Sequence, residues 1–218
     1  MPAIGITGGI STGKSTFCEC LKKLLPDAKI FDADEAAHQL VNLEEVKQEL
    51  LKDFGFSVFS PNGDLNRAAL RAIVFQDAAK KRALEQILHP RIRRQWQAEA
   101  ETHRKSHEFF FADIPLLYET GGETLCDRVV VVACSPTGQL NRLNERLRGI
   151  GLRALETGPL SDHRLEADAA AMINSQMPLD EKIKRADHVV WNNGPRGLLA
   201  EEAANLVALW RIQQWTKV

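Results

Sequence analysis

The residues best suited to carry out chemistry lie near the start of the chain. Residues 8–15 read Gly-Gly-Ile-Ser-Thr-Gly-Lys-Ser and fit G-x-x-x-x-G-K-[ST], the pattern of a phosphate-binding loop. Glycines let the backbone aim successive N–H groups into one concavity that binds an anion. Lys14 provides a mobile positive charge for the β- and γ-phosphates of a nucleotide, and Ser15 provides a hydroxyl for Mg²⁺. We therefore predict that ATP contacts Gly8, Gly9, Ile10, Ser11, Thr12, Gly13, Lys14, Ser15 and Thr16.

The flanking residues predict the strand and the helix that such a loop requires. Residues 3–7 are short, apolar and β-branched, which is typical of a buried parallel strand. Apolar residues then follow at helical spacing at positions 17, 21, 24 and 25. The start of this helix would present its unpaired N–H groups and its positive dipole end to the phosphates. The alternative, a glycine-rich turn that binds nothing, is disfavoured because it would not need this strand and helix.

Acidic side chains follow two further predicted strands. Asp32 and Asp34 come after the apolar run 28–31, and Asp113 ends the apolar run 109–113. Open α/β sheets bind ligands at the carboxyl ends of their strands, where an acid can also hold Mg²⁺ or its waters. Helix N-capping competes with this interpretation, and it explains one of the first two aspartates well and both poorly. Function is therefore favoured for Asp34, and is evenly balanced against capping for Asp32.

Basic side chains follow the most apolar strand in the sequence, residues 128–134. The helix predicted over 139–147 carries Arg142 and Arg146 four residues apart, so both lie on one face. Arginines on a helix often serve only solubility. The position of these two directly after a core strand favours contact with the transferred phosphate.

Helical patterns fill nearly all of residues 35–107, which separate two predicted strands. This stretch is too long for a plain crossover, and we interpret it as an inserted helical lobe. Within it, a helix over 66–88 is expected to end at His89-Pro90, because proline disrupts helices. Later in the chain, the glycines and proline of 149–162 predict a mobile loop, and residues 187–191 predict a last strand. The fold class is α/β with a parallel sheet.

Composition excludes several classes of protein. The chain has 218 residues, of which 44% are hydrophobic and 26% charged, and its net charge is −1. This balance indicates neither a nucleic-acid-binding protein nor one that binds anionic membranes. No apolar run approaches the roughly 20 residues of a membrane span, and no signal peptide is predicted. The cysteines form no paired C-x-x-C sets, so a cytoplasmic protein is expected, and nothing in the sequence indicates an oligomeric state.

Taken in order, these motifs resemble the dephospho-coenzyme A kinase family over nearly the whole chain. The phosphate-binding loop alone is generic, whereas its combination with the other motifs is specific. The matching residues are Gly5–Thr16, Asp32-Ala33-Asp34, His38, Leu65-Asn66-Arg67, Ile87-Leu88-His89-Pro90, Ile92-Arg93, Asp113-Ile114-Pro115-Leu116-Leu117-Tyr118-Glu119, Gln139, Arg142, Arg146, Gln176, Glu181-Lys182, Asp187 and Asn192-Asn193-Gly194.

The resemblance implies a P-loop kinase fold of the nucleoside-monophosphate-kinase-like group. Its five-stranded parallel core would comprise residues 1–34, 108–138 and 186–218, with a helical substrate lobe at 35–107 and a lid at 139–185. The implied reaction is phosphorylation of the ribose 3′-hydroxyl of dephospho-coenzyme A, with ATP as donor and Mg²⁺ as the metal. The implied partner is therefore a small molecule, with no nucleic acid and no membrane.

The resemblance also implies roles for individual residues. Lys14 would stabilise the phosphate oxygens, and Asp34 would orient the 3′-hydroxyl and accept its proton. Arg142 and Arg146 would close over the phosphates or the adenine, and Asn192 would contact the nucleotide. Ser15 and Asp113 would serve the metal. Substrate contacts are implied for Asp32, Asp34, His38, Arg67, His89, Arg93, Asp113 and Leu116.

The lid departs from the family pattern in two ways. The family usually has arginine-isoleucine-x-x-glutamine, and this chain has Met172 in the place of the arginine. The stretch from 147 to 168 is also longer than the family's lid connection. Either Arg148, Arg153 or Arg164 provides the missing positive charge, or this protein is a slow enzyme, or its lid has another role.

Two alternative functions remain open. One is a P-loop kinase that acts on another nucleoside or nucleotide, which would not require the His89-Pro90 and Asp113 motifs. The other is a nucleotide-dependent switch with weak kinase activity, motivated by Met172. The presence of Lys14, Ser15, Asp34 and Asp113 argues against the switch.

Overall fold

A five-stranded parallel sheet forms the centre of the fold. The computed structural model describes residues 2–104, 109–153 and 162–212. The strands are β1 (Ala3–Gly8), β2 (Lys29–Asp32), β3 (Phe110–Asp113), β4 (Arg128–Ala133) and β5 (His188–Trp191), in the order β2-β3-β1-β4-β5. Ile6 on the central strand β1 pairs with Asp113 on one side and with Val130 on the other. The predicted α/β class is therefore confirmed.

The described residues divide into two compact units, residues 1–30 with 102–218 and residues 31–101. The helices of the first unit are α1 (Lys14–Leu24), α6 (Pro136–Arg153), α7 (Asp162–Asn174), α8 (Leu179–Arg185) and α9 (Arg196–Ile212). All six residues of β1 are buried, as expected for a strand covered on both faces. Helices α1 and α9 pack together, and the fully buried Trp210 of α9 contacts the rings of Phe109 and Phe111.

The second unit is helical and has a core of its own. Its helices are α2 (Ala33–Leu40), α3 (Glu44–Phe54), α4 (Arg67–Gln76) and most of α5 (Ala78–His103). Apolar side chains from α3, α4, α5 and the short turn Phe56–Val58 meet in one cluster, which contains Val46, Leu50, Phe54, Val58, Leu70, Ile87 and Leu88. Within the described ranges of the whole chain, no helix is both long and apolar enough to cross a membrane.

The prediction of one helix over 66–88 that ends at His89-Pro90 is wrong. The break falls at Asp77, between α4 and α5, and α5 continues through Pro90 to His103. Asp77 Oδ1 accepts hydrogen bonds from the N–H groups of Ala79 and Lys80 at 2.7 and 3.1 Å. These bonds satisfy donors that every helix start leaves unpaired, so Asp77 begins a new helix.

Proline at position 90 does not end α5. A proline inside a helix removes one N–H donor and strains the preceding turn. Here Arg91 Nη1 donates to the carbonyl oxygen of Ile87 at 2.7 Å, one residue after the Gln86 carbonyl that faces the proline. The Arg91 guanidinium also forms an ion pair with Glu49 at 2.6 Å, which attaches α5 to α3.

The predicted loop over 149–162 begins later than expected. Helix α6 continues to Arg153, and α7 begins at Asp162. Glycine weakens a helix interior by about 1 kcal/mol but does not by itself end the helix. The rest of that predicted loop, 154–161, lies outside the described residues.

Candidate phosphate-binding site

The strand, loop and helix of the nucleotide motif lie where the sequence predicts them. Strand β1 ends at Gly8 and α1 begins at Lys14. Between them, Ser11 and Gly13 adopt positive φ values of 58° and 100°. Residues with positive φ let neighbouring N–H groups converge, which is the backbone geometry of an anion nest. The loop therefore uses a serine as well as a glycine for its left-handed positions, which the pattern of glycines alone did not indicate.

The glycines at either end of the loop are required by close approach. A Cβ atom added to Gly8 would lie 2.4 Å from the carbonyl oxygen of Val132, on the neighbouring strand. A Cβ atom added to Gly13 would lie 2.0 Å from Nδ2 of Asn192. A larger residue at Gly8 would therefore displace the loop from β4, and one at Gly13 would displace the Asn192 amide and strain a backbone whose φ is 100°.

Lys14 of the loop forms an ion pair with Asp113 Oδ1 at the end of β3. Both side chains are largely shielded from solvent, at 13% and 7% exposure. The thiol of Cys18 donates to the other carboxylate oxygen of Asp113 at 3.4 Å. The structure thus brings the loop lysine together with the acid that the sequence predicts at the carboxyl end of a strand.

The residues present fit a magnesium ion that takes most of its ligands from phosphate and water. Ser15 is exposed at the start of α1, so its hydroxyl is accessible. The Asp113 carboxylate lies at the end of β3 beside Lys14, where it can contact the ion or its waters. Among the described residues, no cluster of three acidic, histidine or cysteine side chains could hold a metal. One hydroxyl and one carboxylate are the usual protein share of a nucleotide-bound Mg²⁺.

Arg142 binds main-chain carbonyl groups beside the loop. Its guanidinium donates to the carbonyl oxygens of Thr12 at 3.3 Å and Asn192 at 2.7 Å. The side-chain amide of Asn192 also donates to the Thr12 oxygen, at 2.9 Å. Arg142 and Asn192 therefore hold the end of the loop from two sides. Arg146 lies one turn further along α6 and is exposed.

Two glutamines that sequence reasoning left without a role hold the loop at Ile10. Gln176 Oε1 accepts a hydrogen bond from the N–H of Ile10 at 3.0 Å. Gln139 Nε2 donates to the carbonyl oxygen of the same residue at 2.9 Å. Both peptide groups of Ile10 are thus bound by side chains from the segment predicted as the lid. Their position in the matching motifs was the only signal in the sequence.

Lys182 and Glu119 also contact this site, and sequence reasoning assigned them no role. Lys182 lies on α8 and is fully buried, whereas the side chain of Glu119 is 22% exposed. Their charged groups are 2.9 Å apart. Burial lowers the pKa of the Lys182 ammonium, and Glu119 acts in the opposite direction. Nothing local in the sequence distinguishes Lys182 from an ordinary solvent-exposed lysine.

Four of the predicted substrate residues lie in the second unit near α2. Asp32 caps α2, because its Oδ1 accepts from the N–H groups of Asp34 and Glu35 at 2.9 and 3.0 Å. Asp32 therefore caps α2 through its Oδ1 atom, whereas the Asp34 carboxylate takes no part in the cap and is exposed. Arg67 at the start of α4 donates to the carbonyl oxygen of His38 at 3.3 Å, so these two residues meet.

The remaining predicted substrate residues lie elsewhere. His89 and Arg93 are partly buried on α5, and burial lowers the pKa of His89. A cavity of about 550 Å³ within the second unit is lined by Pro90, Arg94 and Gln95 of the same helix. Leu116 lies in the first unit, where its carbonyl oxygen accepts from the Thr120 hydroxyl at 2.8 Å.

The geometry of the first unit is suited to phosphoryl transfer. That reaction needs positioning and charge neutralisation more than covalent chemistry. Here a loop with two left-handed residues leads into the start of a helix, and an aspartate holds the loop lysine beside it. The exposed Ser15 hydroxyl adjoins the lysine on the same helix.

Comparison with known proteins identifies the family. The family model for dephospho-CoA kinase matches residues 2–196. A dephospho-CoA kinase of Geobacillus kaustophilus is 38% identical over 97% of this chain and 96% of its own. A solved Thermus thermophilus structure covers 98% of both chains at 30% identity, with a TM-score of 0.72. A Campylobacter jejuni dephospho-CoA kinase structure covers 94% of this chain and 95% of its own at 28% identity, with a TM-score of 0.66. This chain belongs to the dephospho-CoA kinase family.

Proposed function

We propose that this protein transfers the γ-phosphoryl group of ATP to the ribose 3′-hydroxyl of dephospho-coenzyme A. The products are coenzyme A and ADP, and the reaction is the last step of coenzyme A biosynthesis. One observation carries the proposal: Asp113, which opens the family signature, is ion-paired with Lys14 of the phosphate-binding loop. The generic nucleotide motif and the family-specific motif thus meet at one ion pair.

The loop residues supply the charge that the reaction needs. A bond forms between the ribose 3′-oxygen and the γ-phosphorus of ATP. The bond between that phosphorus and the oxygen that bridges the β- and γ-phosphates breaks, and ADP leaves. Negative charge develops on the phosphate oxygens, where the N–H groups of the loop and the ammonium of Lys14 stabilise it. Lys14 leaves Asp113 to reach the β- and γ-phosphates.

Ser15 would hold Mg²⁺ through its hydroxyl, and Asp113 would hold it through water. The ion would neutralise charge on the β- and γ-phosphates. The hydroxyl of Ser15 lies at the start of α1, where the helix dipole and the loop amides also favour the phosphates.

The acceptor side of the reaction is assigned to the second unit and the lid. Asp34 orients the 3′-hydroxyl and takes its proton, since its carboxylate is exposed and is not used for capping α2. The other substrate contacts belong to Asp32, His38, Arg67, His89, Arg93 and Leu116. Arg142 and Arg146 act from α6, and closure of the lid excludes water. We place the reaction in the cytoplasm, which suits the four free cysteines.

A coupled assay of ADP release tests this proposal against the alternatives. ATP turnover is measured with dephospho-coenzyme A, with adenosine, with AMP and with no acceptor. The proposal predicts ADP release that depends on dephospho-coenzyme A. Release that depends on another acceptor identifies a different kinase, and equal slow release in every mixture indicates a nucleotide-dependent switch.

A further inference from the structure

A buried ammonium group lies directly behind the phosphate-binding loop. Lys182 Nζ contacts the carbonyl oxygen of Pro115 at 2.8 Å and that of Gly8 at 3.4 Å. Its third partner is Glu119 Oε1 at 2.9 Å. A lysine ammonium has three N–H donors, and three acceptors surround it here. Each N–H donor of this buried ammonium therefore has an acceptor.

Each acceptor belongs to a segment that builds the site. Gly8 is the last residue of β1 and the first residue of the loop. Pro115 lies two residues after Asp113, and its carbonyl oxygen also accepts from the Thr7 hydroxyl at 3.0 Å. One ammonium thus fixes the start of the loop relative to the segment that carries the partner of Lys14.

Glu119 extends the same connection to the lid segment. Its Oε1 accepts a hydrogen bond from the N–H of Met177 at 2.9 Å, in the turn after α7. The preceding residue is Gln176, whose side chain accepts from the N–H of Ile10. The turn after α7 is therefore attached to the site twice, once through the loop itself and once through the Lys182–Glu119 pair.

Stability alone does not account for a charged pair at this place. Taking an ammonium out of water is costly, and apolar side chains of similar size are often as stabilising as a buried ion pair. An apolar residue at 182 would fill the space but would not bind the two carbonyl groups. The contacts of this ammonium are therefore better explained by the arrangement that they impose on the loop.

We propose that Lys182 and Glu119 are positioning residues for phosphoryl transfer. They hold Gly8 and the turn at Met177 in fixed places, so that the loop and the lid segment meet the nucleotide in the reactive arrangement. This inference rests on the proposed phosphotransferase function. Misplacement of reacting groups by about 1 Å costs up to about a hundredfold in rate, so loss of the pair should be visible in turnover.

The test compares Lys182→Met, Glu119→Gln and the double variant with the wild type. The double variant removes both charges, which avoids leaving one of them without its partner. Lys184→Met combined with Glu181→Gln is the matched control. That pair lies on the same helix α8 with a separation of 2.7 Å, but its side chains are 66% and 50% exposed. Turnover, ATP affinity without acceptor, and melting temperature are measured for each.

We expect the double variant to melt near the wild-type temperature but to turn over at least about tenfold more slowly, with weaker ATP binding. The control should match the wild type in all three quantities. A double variant with wild-type turnover and ATP affinity would overturn the inference. So would a double variant that loses folding and activity together, because the pair would then be structural. If the wild type binds ATP but shows no turnover with dephospho-coenzyme A, the proposed function fails, and the ATP titration still decides this inference.

Discussion

Lys14 of the phosphate-binding loop is ion-paired with Asp113, a residue that lies 99 positions away in the chain. The parallel register of β1 and β3 creates this pairing, because it places Ile6 directly beside Asp113. The same carboxylate also accepts from the Cys18 thiol of α1. The loop, its helix and the neighbouring strand therefore meet at one acid.

Replacement of Lys14 by alanine should separate catalysis from stability. Without the ammonium we expect turnover to fall at least about a hundredfold, since a charge that stabilises the transition state is lost. The carboxylate of Asp113 loses its cation while only 7% exposed, so the melting temperature should also fall. Adding Asp113→Asn should recover the melting temperature and leave turnover low. Steady-state kinetics and thermal melts measure both quantities, with the exposed Lys23→Ala as control.

Near-normal turnover in Lys14→Ala would remove the loop lysine from the mechanism. Parallel recovery of turnover and melting temperature in the double variant would show that Lys14 acts only by stabilising the fold.

Asp34→Asn should slow the chemical step while ATP still binds. The backbone N–H of Asp34, and not its side chain, takes part in the cap of α2, so the substitution keeps that cap. Asp32→Ala is the contrasting variant, because it removes the cap and should cost about 1 kcal/mol of stability. Single-turnover measurements and urea unfolding distinguish the two effects. An unchanged chemical step in Asp34→Asn, with lower stability, would favour a purely structural role.

His89 should make stability depend on pH in the acidic range. Burial lowers its pKa below 6.5, Glu85 opposes this effect and Lys81 adds to it. Between the folded and unfolded pKa values the unfolded chain binds more protons, so the free energy of unfolding falls as pH decreases below 6.5. His89→Gln should remove this component. Urea unfolding of both proteins between about pH 7.5 and pH 5 tests the sign. If the difference in unfolding free energy between the wild type and His89→Gln does not vary with pH, His89 does not contribute this pH dependence.

The segment predicted as the lid offers a test of whether an arginine compensates for Met172. Met172 is half-buried on α7, which packs against α6, the helix that carries Arg148. Arg153 ends α6, and Arg164 lies in the first turn of α7. Because a lid arginine stabilises charge mainly in the reacting state, replacing the substitute by alanine should lower turnover more than ATP affinity. Met172→Arg in that background should restore part of the turnover.

Arg148, Arg153 and Arg164 are replaced by alanine singly and together to locate this charge. If the triple variant turns over like the parent, no arginine substitutes for the missing one. Met172 would then be an apolar packing residue of α7.

The sequence predicted well whatever depends on neighbours along the chain. The strand, loop and helix at residues 3–24 follow from a short apolar run, a glycine pattern and helical periodicity. Strand β4 likewise follows from a short apolar run, residues 128–134. Pro90 misled the prediction because the cost of an internal proline is offset by tertiary contacts of α5, namely its apolar packing and the Arg91–Glu49 ion pair.

Contacts between distant residues could not be read from local patterns. Lys182 and Glu119 are 63 positions apart, and nothing beside either one predicts a buried ammonium behind the loop. The contacts of Gln139 and Gln176 with Ile10 likewise exist only after α6 and the turn after α7 have reached the loop. The positive φ of Ser11 arises from closure of the loop, since serine has no strong preference for that conformation.

The identity of the product decides whether this protein phosphorylates the ribose 3′-hydroxyl of dephospho-coenzyme A. The protein is incubated with ATP, Mg²⁺ and dephospho-coenzyme A, and the acceptor is recovered and characterised by mass spectrometry and phosphorus NMR. We expect one added phosphoryl group, located on the ribose 3′-oxygen, and no product from an acceptor that lacks the 3′-hydroxyl. Recovery of unmodified dephospho-coenzyme A, or a phosphoryl group at another position, would contradict it.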